Sequence, residues 1–153
     1  MSPRTLFRIV ARAEAVTWTL LIIAMLLKYV VKVGDWPVSI AGFMHGFVFL
    51  SYVATGVLVG INQRWTKRSI VLAAATSIVP YLTIPYERRL EKQGRLEGEW
   101  RTTKSDHPDD DKWIDTLFRW MVGRPILTAV IAVVIVALIF TVMLILGPPG
   151  GRA

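Results

Sequence analysis

Cysteine is absent from the 153 residues. This absence excludes a disulfide scaffold, thiol catalysis, cysteine-based zinc sites and iron–sulfur clusters. Charged residues are also scarce, because they make up 19% of the chain, whereas soluble domains contain about 25%. Hydrophobic residues reach 54%, and the mean hydropathy is +0.49. This composition excludes general disorder and predicts long apolar segments at membrane depth.

The chain carries 18 basic and 11 acidic residues, for a net charge of +7. In a soluble protein this excess would suggest nucleic-acid binding. Here the basic residues cluster beside the apolar segments, where they meet lipid headgroups and set the topology. We therefore expect lipid headgroups, and no nucleic acid, among the partners.

Four apolar segments are candidates for transmembrane helices, which need roughly 20 residues to cross a bilayer. The third is weak because it is short and contains Pro80, which removes a backbone hydrogen bond and is expected to kink the helix. A re-entrant third segment is the alternative. The first helix is expected to begin near Phe7 and to remain in the mature protein. The segments are residues 15–31, 38–60, 69–85 and 125–146.

The predicted fold is thus an all-α integral membrane protein with four hydrophobic helices. Its three parts are a three-helix membrane core at 1–90, a polar connection at 91–124, and a fourth transmembrane helix with a short tail at 125–153. With an inside N-terminus and a re-entrant third segment, 15 basic residues lie inside and 3 outside. With four crossings and the same orientation, 7 lie inside and 11 outside. The orientation stays open, with a preference for an inside N-terminus.

The polar connection is predicted to contain an amphipathic interfacial helix before the last span. Pro108 suits its first turn, and the aspartates at 109–111 form a solvated helix start rather than a metal site. Its apolar stripe can lie on the membrane surface or dock on a partner, and both interpretations remain open. The stripe consists of Trp113, Ile114, Leu117, Phe118, Trp120 and Met121.

Ionisable residues at membrane depth are candidates for function, because burial in lipid costs free energy. Glu14 is expected to meet a basic residue at 64, 67 or 68, whereas Lys28, followed by Tyr29, can extend to the interface. His45 has two interpretations. It can be functional, as a proton relay, a quinone-site donor or a haem ligand, although ligation of haem by two intramembrane histidines of this chain is excluded. Alternatively, it can hydrogen-bond between helices, with Tyr29 or Ser77 as partner.

Small residues in the second segment indicate close helix packing. Gly42 and Gly46 form one G-x-x-x-G step, and Gly56 and Gly60 form a second on nearly the same face. We expect this helix to be the central packing helix, with packing inside the chain favoured over packing on a partner.

One further pattern runs in order through the first three apolar segments. Its residues are Phe7-Arg8, Ala13-Glu14, Met25, Lys28, Tyr29, Gly42, His45, Gly46, Tyr52, Trp65, Ser77 and Pro80. This ordered pattern resembles the YdzA-like family of small bacterial integral membrane proteins of unknown function, over residues of about 4–90. The resemblance implies a three-helix bundle in the cell membrane and supplies no activity or cofactor. The polar connection and fourth span make the chain similar to a longer, actinobacterial form.

The expected function is that of a non-catalytic accessory or assembly subunit of a larger bacterial membrane complex, of respiratory or envelope-lipid export type. The alternative is a small proton-coupled transporter or channel-like homo-oligomer that uses Glu14, Lys28 and His45. No catalytic constellation, cofactor site or metal site is predicted. The expected location is the bacterial plasma membrane, with several crossings.

Overall fold

The computed structural model describes residues 1–146, apart from the side chains at 109, 140, 143, 144 and 146. The tail predicted at 147–153 lies outside the described residues. The chain divides into two compact units, Met1–Trp100 and a second that begins at Arg101.

The described residues form α-helices and no strand, which confirms the predicted helical class. Helices α1 to α4 belong to the first unit, and α5 and α6 belong to the second. A π-helical turn, Leu27–Val31, extends α1, and a 3-10 turn, Pro108–Asp111, precedes α5. The helices are α1 Pro3–Leu26, α2 Trp36–Asn62, α3 Lys67–Thr76, α4 Thr83–Lys92, α5 Trp113–Val122 and α6 Pro125–Leu146.

The boundaries of α1 follow from its sequence. Ser2 caps the N-terminus, since its hydroxyl accepts a hydrogen bond from the Thr5 backbone N–H at 3.2 Å, and Pro3 occupies the first turn. At the other end the π-helical turn stops at Lys32, which has a φ of 62°. Gly34 follows with a φ of 105°, a value that favours glycine. This turn directs the chain into α2.

Two helices are long and apolar enough to cross a membrane, Pro3–Val31 and Trp36–Asn62. They agree with the first two predicted segments. Helix α5 and residues 125–139 of α6 form a pair bent by 106°, which adds a third candidate if the pair counts as one span. The predicted number of four spans is therefore not confirmed.

The third predicted segment, 69–85, is not a continuous helix. It splits into α3 and α4, each 10 residues long, which corresponds to about 15 Å and is too short to cross a bilayer. The break surrounds Pro80, and Tyr81 has a left-handed φ of 65°. The sequence predicts a kink at Pro80, whereas in the structure the chain turns back on itself.

Helices α3 and α4 form a hairpin whose two ends lie close together. At the open end, the Tyr86 hydroxyl donates to the Ser69 carbonyl at 3.0 Å. At the closed end, the hairpin is attached to α1, because Trp18 Nε1 of α1 donates to the Ser77 carbonyl at 3.2 Å. Helix α4 places Glu87 beside Arg8 and Glu91 beside Arg4 of α1. The hairpin therefore returns to the end of the first unit at which α1 begins.

Aromatic side chains hold the core of the first unit. Phe7 and Tyr52 are fully buried, with ring centroids 5.4 Å apart. Trp65 meets the Phe7 ring edge-on at 5.9 Å. Ala73 of α3 and Leu90 of α4 belong to the same cluster, so apolar burial joins all four helices.

The second unit corrects the predicted start of the amphipathic helix. Pro108 begins the separate 3-10 turn, and α5 begins at Trp113 with Lys112 as its N-cap residue. Only one member of the predicted stripe is buried, Phe118, at 2% exposure. Helix α6 has no charged residue along its 22 residues, which fits the composition predicted for the last segment.

Candidate functional site

Glu14 lies fully buried between α1 and α4. Its Oε2 atom is 3.0 Å from the Thr83 hydroxyl, which also lies 3.1 Å from the Ala11 carbonyl. Among the described residues, Oε1 of this carboxyl group has no hydrogen-bond partner. The prediction that Glu14 meets a basic residue at 64, 67 or 68 is therefore wrong. The folding back of α4 places Thr83 against α1, and sequence spacing on α1 alone carries no signal of this.

His45 on α2 contacts α1 through one ring nitrogen. Nδ1 lies 3.1 Å from the Thr17 hydroxyl, which donates to the Glu14 carbonyl at 3.0 Å. Because a hydroxyl has one hydrogen, both contacts of Thr17 are satisfied together when a neutral imidazole carries its proton on Nδ1. The ring also packs on Trp18, with centroids 4.5 Å apart. The contact joins two helices, as one interpretation expected, but the partner is Thr17 rather than Tyr29 or Ser77.

Lys28 lies at the opposite end of α1 and makes its own contacts. Its Nζ atom is 3.0 Å from Asp35 Oδ1 and 5.1 Å from the centroid of the Tyr29 ring. Tyr29 itself is exposed. Glu14 and Lys28 are fourteen residues apart on one helix, which is about 21 Å, so the candidate ionisable residues do not form a single site.

An ion-pair network that sequence reasoning missed joins α1 to α4. Arg8 Nε donates to Glu87 Oε1 at 3.0 Å. Glu91 pairs with both Arg4 and Arg8. Residues four apart share one helix face, and the two pairs of like charge, 4 with 8 and 87 with 91, could have indicated two complementary faces. The two arginines thereby offset the repulsion between the two glutamates, which are four residues apart on α4.

The glycines of α2 behave differently along the helix. A Cβ atom at Gly60 would lie 2.6 Å from Ile70 Cγ1, and one at Gly56 would lie 3.7 Å from Ala73. A Cβ atom at Gly42 would meet nothing within 4 Å. Close packing on α3 therefore uses the second G-x-x-x-G step, whereas Gly42, which begins the first step with Gly46, faces open space.

The second unit contains a charged cluster around Asp110, which is 1% exposed. Arg101 donates to Asp110 at 2.8 Å and to Asp115 at 2.7 Å. The Ser105 hydroxyl donates to the other Asp110 oxygen at 2.6 Å. Asp110 is thus paired and buried, which corrects the expectation that the whole acidic run is a solvated helix start.

Burial raises the pKa of Tyr86, which lies on α4 outside the two candidate spans. Its hydroxyl remains a hydrogen-bond donor at neutral pH and holds the Ser69 carbonyl. This contact stabilises the base of the hairpin and gives Tyr86 a structural role.

Together, the apolar helices and the polar contacts between them define an α-helical membrane protein. The chain belongs to the family described as domain of unknown function DUF3817, which matches residues 4–92. This finding confirms the expectation of an uncharacterised membrane family.

A relative from Streptomyces coelicolor, named only as a membrane protein, is 36% identical over 91 residues. The match covers 59% of this chain and 11% of the relative, so the chain spans about a tenth of the length of the curated relative it matches. No solved structure matches the chain.

Proposed function

We propose that the protein is a non-catalytic accessory or assembly subunit of a larger bacterial membrane complex. The observation that carries the proposal is the tip of the α3–α4 hairpin, residues 77–82, which exposes apolar side chains. Ile78 is 67% exposed, Val79 50% and Tyr81 45%. Such a surface requires an apolar environment or a covering protein.

The depth of this tip favours a covering protein over lipid. The Tyr81 hydroxyl is 3.2 Å from the Thr19 hydroxyl on α1. Thr19 follows Arg12, the last basic residue before the apolar segment, by seven residues or about 10 Å. Within the described residues, the backbone N–H groups of Val79 and Tyr81 donate no hydrogen bond. Irregular backbone exposed to lipid is unfavourable, because its polar groups have no partner there.

The Streptomyces coelicolor relative supports the same proposal. The matched region forms 11% of that membrane protein, so in that case the unit is covalently joined to a much longer polypeptide. We infer that the corresponding unit of this chain likewise associates with a larger membrane protein. A respiratory or envelope-lipid export assembly is the expected type of complex.

The finer topology is also a proposal. Helices α1, α2 and α6 cross the bacterial plasma membrane, and the α3–α4 hairpin enters and leaves on the side of the N-terminus. This arrangement gives the distribution of 15 basic residues inside and 3 outside, which the positive-inside rule favours. It replaces four crossings by three. The YdzA-like family name likewise stays a prediction.

Crosslinking from the hairpin tip tests the accessory function. The chain has no cysteine, so Ile78→Cys provides one attachment point for a photoreactive maleimide in native membranes. Val71→Cys on α3 is the matched control, since Val71 is 65% exposed and lies away from the tip. We expect one larger membrane protein, identified by mass spectrometry, to crosslink from position 78 and not from position 71. Crosslinks only within the chain, or only between identical chains, would contradict the proposal.

The alternative function is proton-coupled transport by a homo-oligomer. One observation favours it: Glu14 is fully buried, and its Oε1 atom lacks a partner among the described residues. The test compares Glu14→Gln with the parent chain in proteoliposomes loaded with a pH-sensitive dye. Loss of proton flux with unchanged folding would support transport, whereas equal flux in both would argue against it.

A further inference from the structure

We propose that α5 lies in the plane of the membrane interface, with its tryptophan face inserted among the lipids. The face is defined by Trp113, Leu117 and Trp120. Its occupant is the boundary between phospholipid headgroups and acyl chains, rather than a protein. This inference concerns the second unit; it rests on the proposed membrane crossing by α6 and not on the proposed accessory function.

The polar side of α5 is already covered by its own unit. Asp115 pairs with Arg101 at 2.7 Å, and Arg119 Nη2 donates to the Asp110 carbonyl at 2.8 Å. The Arg101 guanidinium also lies 5.4 Å from the centroid of the buried Phe118 ring. These contacts fix the rotation of α5 about its axis, so the opposite, apolar side is the one left exposed.

The exposed side has the composition of an interfacial surface. Trp113 is 73% exposed, Leu117 46% and Trp120 41%. The tryptophans are seven residues apart, or about two helical turns, and therefore lie along one line. Tryptophan is enriched at the membrane–water interface, where its apolar ring and its N–H group both find suitable surroundings.

The orientation of α5 relative to the membrane follows from the bend between α5 and α6. Helix α6 is uncharged over its 22 residues, long enough to cross the hydrocarbon region. The 106° bend then places α5 nearly parallel to the membrane plane. The Thr128 hydroxyl donates to the Met121 carbonyl at 2.6 Å and ties the two helices at the corner.

Such a helix can bind lipid by burying its apolar face or by attraction to anionic headgroups, and the charge of the segment distinguishes the two. Residues 101–124 contain five basic and five acidic residues, so this segment has no net attraction for anionic headgroups. Arg124 lies 5.2 Å from the centroid of the Trp120 ring, which places one cation at the corner of α5 and α6. Apolar burial therefore drives the insertion, and electrically neutral phospholipid is sufficient.

Spin labels on the full chain test the proposal directly. Leu117→Cys places a nitroxide on the tryptophan face, and Thr103→Cys places one on the exposed loop of the same unit. Val133→Cys, on α6, serves as a reference for the hydrocarbon region. Each variant is reconstituted in phosphatidylcholine vesicles, and collisions of the label with oxygen and with a water-soluble nickel chelate are measured.

We expect the label at 117 to favour oxygen over nickel and to lie about 5 to 10 Å below the headgroups. The label at 103 should favour nickel. Adding anionic phosphatidylglycerol should leave the depth at 117 unchanged. Strong nickel access at 117 would overturn the proposal, and so would protection from both reagents, which indicates a protein contact. A requirement for anionic lipid would overturn apolar burial as the cause.

Discussion

At the scale of single residues, the two ends of α2 differ in how closely a neighbour approaches. Sequence spacing predicts close packing at both G-x-x-x-G steps and assigns both to one face, without saying what each step meets. A Cβ atom at Gly60 would lie 2.6 Å from Ile70 Cγ1 of α3, whereas one at Gly42 would meet nothing within 4 Å. The difference arises because α3 is short and packs only along the C-terminal end of α2.

We predict that Gly60→Ala destabilises the protein and that Gly42→Ala does not. The new methyl group at 60 would lie 2.6 Å from Ile70 Cγ1 and 3.2 Å from the Trp65 ring, and a β-branched side chain cannot easily move aside. Overpacking of this kind costs about 1 to 3 kcal/mol. Denaturant unfolding in detergent, followed by tryptophan fluorescence, measures both variants. Equal midpoints for the two would contradict the predicted contact.

At the scale of elements, the first two spans were predictable and the third was not. Long apolar segments define α1 and α2 within a few residues, because burial in lipid leaves few alternatives to a helix. Residues 69–85 carry the same apolar character, yet Pro80 and the left-handed Tyr81 end α3 and reverse the chain. The partner of Glu14 was missed for this reason, since only the reversed chain brings Thr83 to α1.

The same limit applies to the amphipathic helix. The stripe of six apolar residues was visible in the sequence, but its periodicity carries no signal that Arg101, seventeen residues before Phe118, lies 5.4 Å from the centroid of that buried ring. Arg101 reaches both Asp110 and Asp115. Contacts of this kind depend on the loop conformation between 101 and 112, which helical periodicity does not encode.

The contact between α1 and α4 gives a prediction for the hairpin as an element. Arg8→Glu should destabilise the first unit, because it replaces the bond to Glu87 by repulsion from a carboxylate that is 7% exposed. Hydrogen bonds to charged groups contribute about 1.5 to 3 kcal/mol. The reversed pair, Arg8→Glu with Glu87→Arg, should recover part of this loss. Thermal unfolding of the two single variants and the double variant measures the coupling, and strictly additive effects would refute it.

At the scale of the whole molecule, the hairpin determines which connections share one side of the membrane. If α3 and α4 enter and leave together, residues 68 and 93 lie on the side of the N-terminus, and residue 33, between α1 and α2, lies on the other. If residues 69–85 cross instead, positions 68 and 93 are separated. The distribution of basic residues favours the first arrangement, and the 3.0 Å contact between Tyr86 and Ser69 agrees with it, since it joins the two ends of the hairpin.

Single cysteines decide between these arrangements, since the parent chain contains none and supplies an unlabelled background. We predict that an impermeant maleimide labels Val33→Cys in intact cells, whereas Arg68→Cys and Gln93→Cys react only after the membrane is opened. Val33 is 43% exposed, so its reactivity reports the side of the membrane rather than burial. Labelling of 93 but not 68 in intact cells would establish a full crossing by residues 69–85. Labelling of 68 and 93 together, with 33 protected, would retain the hairpin and reverse the orientation, because the hairpin fixes only the relative positions of these connections.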